Sequence, residues 1–211
     1  MRAWSADHPK AKLMGRKQAD ILGAAKAAFL ETGYSGTSME SIAKRADVSI
    51  MTLYRHAKSK DVLFGAVIGN ACAPADEQER AGLEAIFKLP IAEGLVATAL
   101  HFQETVLADD TIALLRVVLA DASRFPQLGE LAYAGLIGHL ETMAVWLLSE
   151  IEPTKTLAED VRHALGRLFI DRIVGIDLLQ ILLGLPAPTV GDRHRRAERA
   201  RDDVLREVNQ A

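Results

Sequence analysis

Six neighbouring residues, Ile50, Met51, Thr52, Tyr54, Arg55 and His56, hold the richest set of interacting side chains in the chain. Arginine pairs in bidentate fashion with guanine, threonine bonds to base edges, and apolar side chains pack on thymine methyls. Hydroxyls and cations bond phosphate oxygens. That chemistry reads and grips a polyanion rather than turning over a substrate. Reactive groups elsewhere are sparse. His101-x-x-Glu104 and His139-x-Glu141 carry metal-ligating side chains, and Asp109-Asp110 pairs two carboxylates. The paired Glu-x-x-His motifs of di-iron bundles are absent, and an Asp pair ahead of an apolar run is explained by helix capping. No Ser/His/Asp, phosphate-loop or zinc signature is present. The sequence therefore predicts no enzyme, no metal and no cofactor.

The elements around those six residues follow from spacing. Between Arg16 and Leu30, Ile21, Leu22, Ala25, Ala28 and Phe29 recur at intervals of three and four, which marks an amphipathic helix that Gly33 stops. Thr37 and Glu40 form a capping-box pattern opening a second helix through Ala46. Asp47-Val48-Ser49 makes a tight turn. Ser49 is placed to cap a third helix, Ile50 to Ala57, and Ser59 a fourth, from Lys60 towards Asn70. Two short helices across a three-residue turn match a helix-turn-helix, whose second helix enters the major groove. Ile42, Ala43, Ala46, Val48 and Leu53 fall where the two helices cross.

Beyond Pro74 the pattern changes to longer helices, at about 76–87, 91–108, 111–123, 127–150, 157–184 and 192–209. Asp109 or Asp110 is expected to cap the third of these, and Thr156 with Glu159 the fifth. No strand-type alternation persists. The fold class is all-α: a basic arm (1–14), an N-terminal three-helix helix-turn-helix domain (15–70), and a larger helical ligand-binding and dimerisation domain (75–211).

Composition sets the boundary conditions. Apolar residues make up 49% and charged residues 25%, ordinary globular values. One cysteine excludes an internal disulfide framework and fits a reducing cytosol. The N-terminus lacks the apolar core of a signal peptide, and the apolar stretch Leu168–Leu185 is broken by Asp171, Arg172, Asp177 and Gln180. A soluble, cytoplasmic, nucleoid-associated protein with no membrane partner is expected. Residues 1–60 carry 11 Lys/Arg against 5 Asp/Glu, whereas residues 61–211 carry 14 against 23. Such a basic head on an acidic body brings only the head to nucleic acid.

The run Ile42–Val67, with its Thr52-Leu53-Tyr54-x-His56 core and Lys58-Ser59-Lys60-Asp61, resembles the DNA-binding domain of the TetR family. With the Phe29-x-x-x-Gly33-Tyr34 turn the likeness covers roughly residues 16–68. It implies that Thr37 and Ser38 bond phosphate from the start of the second helix, and that Tyr54, His56 and Lys60 clamp phosphates. Ile50, Met51, Thr52 and Arg55 would meet the groove floor or its edge, with the cap residue Ser49 also among the DNA-binding positions. Five positions depart from the family pattern. Asp47 stands where the turn usually has Gly, and Asp tolerates positive φ. Ile50-Met51 replaces Lys-Gly, trading a cation for contacts to thymine methyls. Ala57 replaces an aromatic, which should loosen the third and fourth helices. Glu40 would repel phosphate unless it reads a cytosine amino group or folds back as a cap.

Leu115 to Leu128 resembles the C-terminal domain of an AefR-like branch of the same family, with Phe125-Pro126 as a helix corner. The helix from Glu159 to Gly184 is apolar nearly all round, so more than one side is buried, leaving Leu178, Leu179 and Leu182 for a partner. The family resemblance implies a homodimer joined by the last two helices of each subunit, with recognition helices ~34–36 Å apart on near-palindromic double-stranded operator DNA. Phe102, Met143, Trp146 and Phe169 lie on helices able to enclose a small hydrophobic or aromatic effector, with His101, His139 or Arg172 as polar contacts; each also fits an ordinary core or surface role. The expected function is a transcriptional repressor released by that effector. The alternative is a TetR-like protein-binding module that has lost DNA binding.

Overall fold

The computed structural model describes residues 9–71, 82, 85, 86 and 88–210. Among them there is no strand, in keeping with the all-α reading. The helices are α1 (Pro9–Gly36), α2 (Met39–Arg45), α3 (Ile50–His56), α4 (Lys60–Ala71), α5 (Ile91–Val106), α6 (Asp109–Asp121), α7 (Gln127–Ala132), α8 (Gly138–Glu150), α9 (Glu159–Leu182) and α10 (Val190–Val208). The chain divides into two compact units. One takes residues up to Asn70 together with Ala113–Ala132; the other takes Ala71–Ile112 and Tyr133–Ala211. The sequence division near residue 75 places 113–132 with the C-terminal body, and in the structure these residues also make contacts to the helix-turn-helix.

In the first unit α1 starts at Pro9, so residues 9–14 are the first turns of a helix rather than an arm; residues 1–8 lie outside the described part. Proline suits a first helical position because its missing N–H has no partner there. Helical dihedrals break at Gly33 (φ 72°), the position the sequence marks as the stop, before a last turn to Gly36. The break turns Tyr34 into the core. There its ring meets Phe64 edge-on at 5.4 Å and Phe125 at 5.1 Å, while Phe29 and Phe64 pack at 4.9 Å. Such edge-to-face pairs add to the burial of large apolar rings. Tyr34 also donates its hydroxyl to Asp61, and the Ser35 N–H donates to Asp121 at 3.1 Å, joining the end of α1 to α4 and α6.

The helix crossing forms as its residue types demand. Ile42, Ala43 and Leu53 are buried, with Ala46 and Val48 half-buried. The Val48 N–H donates to the Ala43 carbonyl at 3.0 Å, closing the turn, and Asp47 takes φ 50°. Asp therefore supplies the left-handed residue that the expected turn needs. Ala57 is buried even without an aromatic ring.

In the second unit α8 packs on α9, α9 on α10, and α5 on both α9 and α10. Gly166 brings α9 close to α8: a Cβ there would stand 2.9 Å from Val145 Cγ2. α9 is interrupted at Gly175 (φ 44°, ψ −148°), next to the buried Asp177, which accepts from Arg196 at 2.7 Å. Three local expectations change. The segment 127–150 is not one α-helix, because a π-helical turn (Tyr133–Ile137) separates α7 from α8. Asp109 and Asp110 lie within the first turn of α6, where their charge favours the helix dipole, instead of capping it. Thr156 ends a 3-10 turn and bonds Pro153 O, while Ala158 is the N-cap of α9 without a side-chain bond.

The continuous helical run Gln127–Glu150 is long and apolar enough by composition to cross a membrane, a segment the sequence reading passed over. Leu128, Leu136, Leu140, Ala144, Leu147 and Leu148 along it are buried, as is 33% of its apolar window, and a core helix of a globular protein meets the same length and composition test.

Candidate nucleic-acid interface

The outward face of α3 carries the residues singled out from sequence. Leu53 is the buried anchor, and around it Ile50, Met51, Tyr54 and Arg55 are exposed, Met51 by 75%, with Thr52 and His56 half-buried. A methionine so open contributes nothing to its own core and is available to a partner surface. Ser49 caps the helix, its hydroxyl accepting the Thr52 N–H at 3.1 Å and lying 2.9 Å from the Thr52 hydroxyl. That bond aims both hydroxyls along the start of the helix, where free N–H groups favour an anion.

The cap of α2 falls on Ser38, one residue later than the sequence pattern suggests. The Ser38 hydroxyl accepts the Ser41 N–H at 3.1 Å, and Ser41 returns the bond by accepting the Ser38 N–H at 3.2 Å. Glu40 is exposed and takes no part in the cap. Thr37 is only 3% exposed, and its hydroxyl donates to Gly33 O at 2.7 Å and reaches Ala28 O at 3.1 Å. A buried hydroxyl spent on the end of α1 is not presented to phosphate, which corrects the role the resemblance implied for Thr37 and leaves Ser38 at the surface.

Lys60 is likewise turned inward. Its ammonium donates to Tyr34 O and to Thr37 O, both at 2.8 Å, and lies 4.3 Å from the centre of the Tyr34 ring. Burial lowers its pKa below the ordinary lysine value of 10.5, against the raising pull of Asp121. Two of its three N–H groups hold the α1–α2 junction in place, so at most one remains for a phosphate. Lys60 is thus foremost a strut under the Ser38 cap. Sequence alone offers no signal for this, because the two carbonyls lie 23 and 26 residues away.

The expected effector residues separate. Phe102 and Phe169 are buried and meet at 6.5 Å, with His101 beside Phe102 at 6.2 Å. Met143 is half-buried, Trp146 and His139 are exposed, and Arg172 is committed to Asp203 at 2.7 Å. Two open clefts in this unit, of about 570 and 470 Å³, are lined chiefly by charged residues of α8, α9 and α10; of the seven effector candidates Arg172 alone lines either of them, at the larger. Buried polar residues that sequence reasoning passed over are Thr98 and Gln103 on α5. Leu179 is 50% exposed on α9, beside exposed Ile176 and Leu183, whereas Leu178 and Leu182 are half-covered by their own chain. Among the described residues no three His, Cys, Asp or Glu side chains gather as a metal site.

Residues 21–67 match the model of the TetR family of bacterial regulatory proteins, and residues 93–201 match the C-terminal domain of AefR-like transcriptional repressors. No curated protein matches the chain. Among solved structures, a Mesorhizobium loti protein assigned to the TetR-family transcriptional regulators superposes with a TM-score of 0.70 at 23% identity, over 92% of this chain and 96% of its own. The flavonoid-responsive regulator FrrA gives 0.67 at 28% identity, covering 92% and 97%. NalD, the secondary repressor of the MexAB-OprM multidrug efflux pump of Pseudomonas aeruginosa, gives 0.56 at 21% identity, covering 91% and 96%. With both of its parts matched by models of the family, the chain belongs to the TetR family of transcriptional regulators.

Proposed function

We propose that the protein is a cytoplasmic, homodimeric repressor that holds near-palindromic operator DNA and lets go when a small hydrophobic or aromatic effector binds its helical unit. The observation that carries the DNA half is the open face of α3, where Ile50, Met51, Tyr54 and Arg55 surround a helix start capped by Ser49. Met51 and Ile50 meet thymine methyls, Arg55 reads a base edge, and Ser38, Ser49, Tyr54 and His56 hold phosphates. The exposed apolar strip of Ile176, Leu179 and Leu183 supports pairing with a second copy, which sets the spacing of the two recognition helices. FrrA responds to flavonoids, and its likeness over nearly the whole chain supports an aromatic effector here.

The test is retention of genomic fragments by the purified protein at low salt, followed by titration of a selected duplex at rising salt. Affinity should fall steeply with salt, because phosphate contacts release counterions. Tyr54→Ala should weaken every sequence alike, and Met51→Ala or Arg55→Ala should relax base choice at one position by about 1–3 kcal/mol. The second reading, a protein-binding module, draws on Met51 and Ile50 as an apolar patch. It would gain the field if no fragment were retained.

A further inference from the structure

Gln103 and Thr98 are 2% and 4% exposed, yet Gln103 Oε1 and Thr98 Oγ1 have no hydrogen-bond partner among the described residues. Buried polar atoms in native proteins are nearly always paired, and each exception calls for an explanation such as a ligand or a held water. The amide of Gln103 is oriented by its surroundings. Its Nε2 donates to Ile173 O at 3.4 Å, two residues before α9 breaks at Gly175. Exchanging the amide atoms would set two acceptors against each other, so Oε1 is the end left open, and it is an acceptor only. Thr98 is also unusual. A helical threonine ordinarily donates to the carbonyl four residues back, as Thr105 does to His101 O at 3.1 Å, and Thr98 makes no such bond.

Both residues lie on α5 with Phe102, whose ring meets Phe169 of α9, one helical turn before Ile173. The grouping combines two aromatic rings, an acceptor lacking a donor, and a hydroxyl able to give or accept. We infer that Gln103 and Thr98 are the polar anchors of the effector site, and that the effector is an aromatic molecule presenting a hydroxyl or N–H donor to Gln103 Oε1. This inference rests on the effector half of the proposed function and names the ligand chemistry. Discrimination follows from the acceptor: a site built to receive a donor rejects the analogue that lacks it far more strongly than a purely apolar pocket rejects a change of shape.

The test is calorimetric titration of the full-length protein with two matched pairs, naringenin against its trimethyl ether and phenol against anisole. The expected result is at least tenfold tighter binding of the hydroxylated member of a pair. Gln103→Met should erase that preference, and the near-isosteric Thr98→Val should reduce it while preserving the fold. Binding of neither pair by the wild-type protein, equal binding of both members, or a preference unchanged in both variants would overturn the inference. So would a crystal structure in which a water satisfies both atoms and no probe displaces it. DNA retention by the unliganded protein is measured in parallel. If retention holds while the titrations fail, only the ligand assignment falls; if retention fails, the regulator reading falls on its own account.

Discussion

Replacing Lys60 by methionine keeps much of the stem and deletes the ammonium that bridges Tyr34 O and Thr37 O at 2.8 Å each. A hydrogen bond to a charged group contributes about 1.5–3 kcal/mol when buried. The site is half-buried, and the lowered pKa of Lys60 shows that desolvation offsets part of the gain. Discounted for both, the two bonds together stabilise the α1–α2 junction by roughly 1–2 kcal/mol. With two units in one chain a single melting temperature is a poor reporter, so the assay is native-state amide exchange at Ser41 and Ile42, whose N–H groups are held by Ser38. Protection there should drop roughly five- to thirtyfold in Lys60→Met, a factor of 10 being about 1.4 kcal/mol. DNA affinity should fall as the Ser38 cap loosens, while the slope of log affinity against log salt stays where it was. A phosphate clamp predicts the opposite pair of results, with unchanged protection and a slope smaller by about 0.9. Observing that pair would refute the strut.

Three other perturbations test the architecture. Asp47→Val should destabilise the first unit by about 1–2 kcal/mol in urea unfolding, since a β-branched residue at φ 50° is strained where Asp is tolerated; Asp47→Gly should not. Gly166→Ala places a Cβ 2.9 Å from Val145 Cγ2, a stiff side chain, and should destabilise the second unit by about 1–3 kcal/mol without affecting DNA retention at low temperature. The Asp192 carboxylate is held below its ordinary pKa of 3.8, first by the Thr189 hydroxyl and then by the Thr189 N–H. Because the folded pKa is depressed, its contribution is fully present above about 3.8 and is lost as pH falls through the folded value. The start of α10 should therefore fray in strong acid, seen as accelerated amide exchange near Asp192, and Asp192→Asn should remove the pH dependence.

Much of the recognition helix was legible because it is local. Leu53 lies inward and Met51 outward through helical period alone, and the turn at Asp47 follows from the few residue types that accept positive φ. The choice between Thr37 and Ser38 as cap was not legible. Only Thr37 fits the Ser/Thr-x-x-Glu motif, yet the buried end of α1 takes its hydroxyl, and Ser38 with Ser41 caps the helix instead. The single helix expected over 127–150 failed for a related reason, since an apolar run has the same pattern whether or not a π-helical turn interrupts it.

What the sequence by itself determined is the all-helical class, the helix-turn-helix and the side chains its reading face presents, because 3.6-residue periodicity, caps and turn chemistry act between neighbours. Only the tertiary structure decided that Lys60 faces inward, that residues 113–132 join the DNA-binding unit through Tyr34, Asp61 and Asp121, and that Gln103 and Thr98 are buried with open bonds. Those facts depend on partners dozens of residues apart. Burial and hydrogen-bond satisfaction at such separations are properties of packing, which no local pattern specifies.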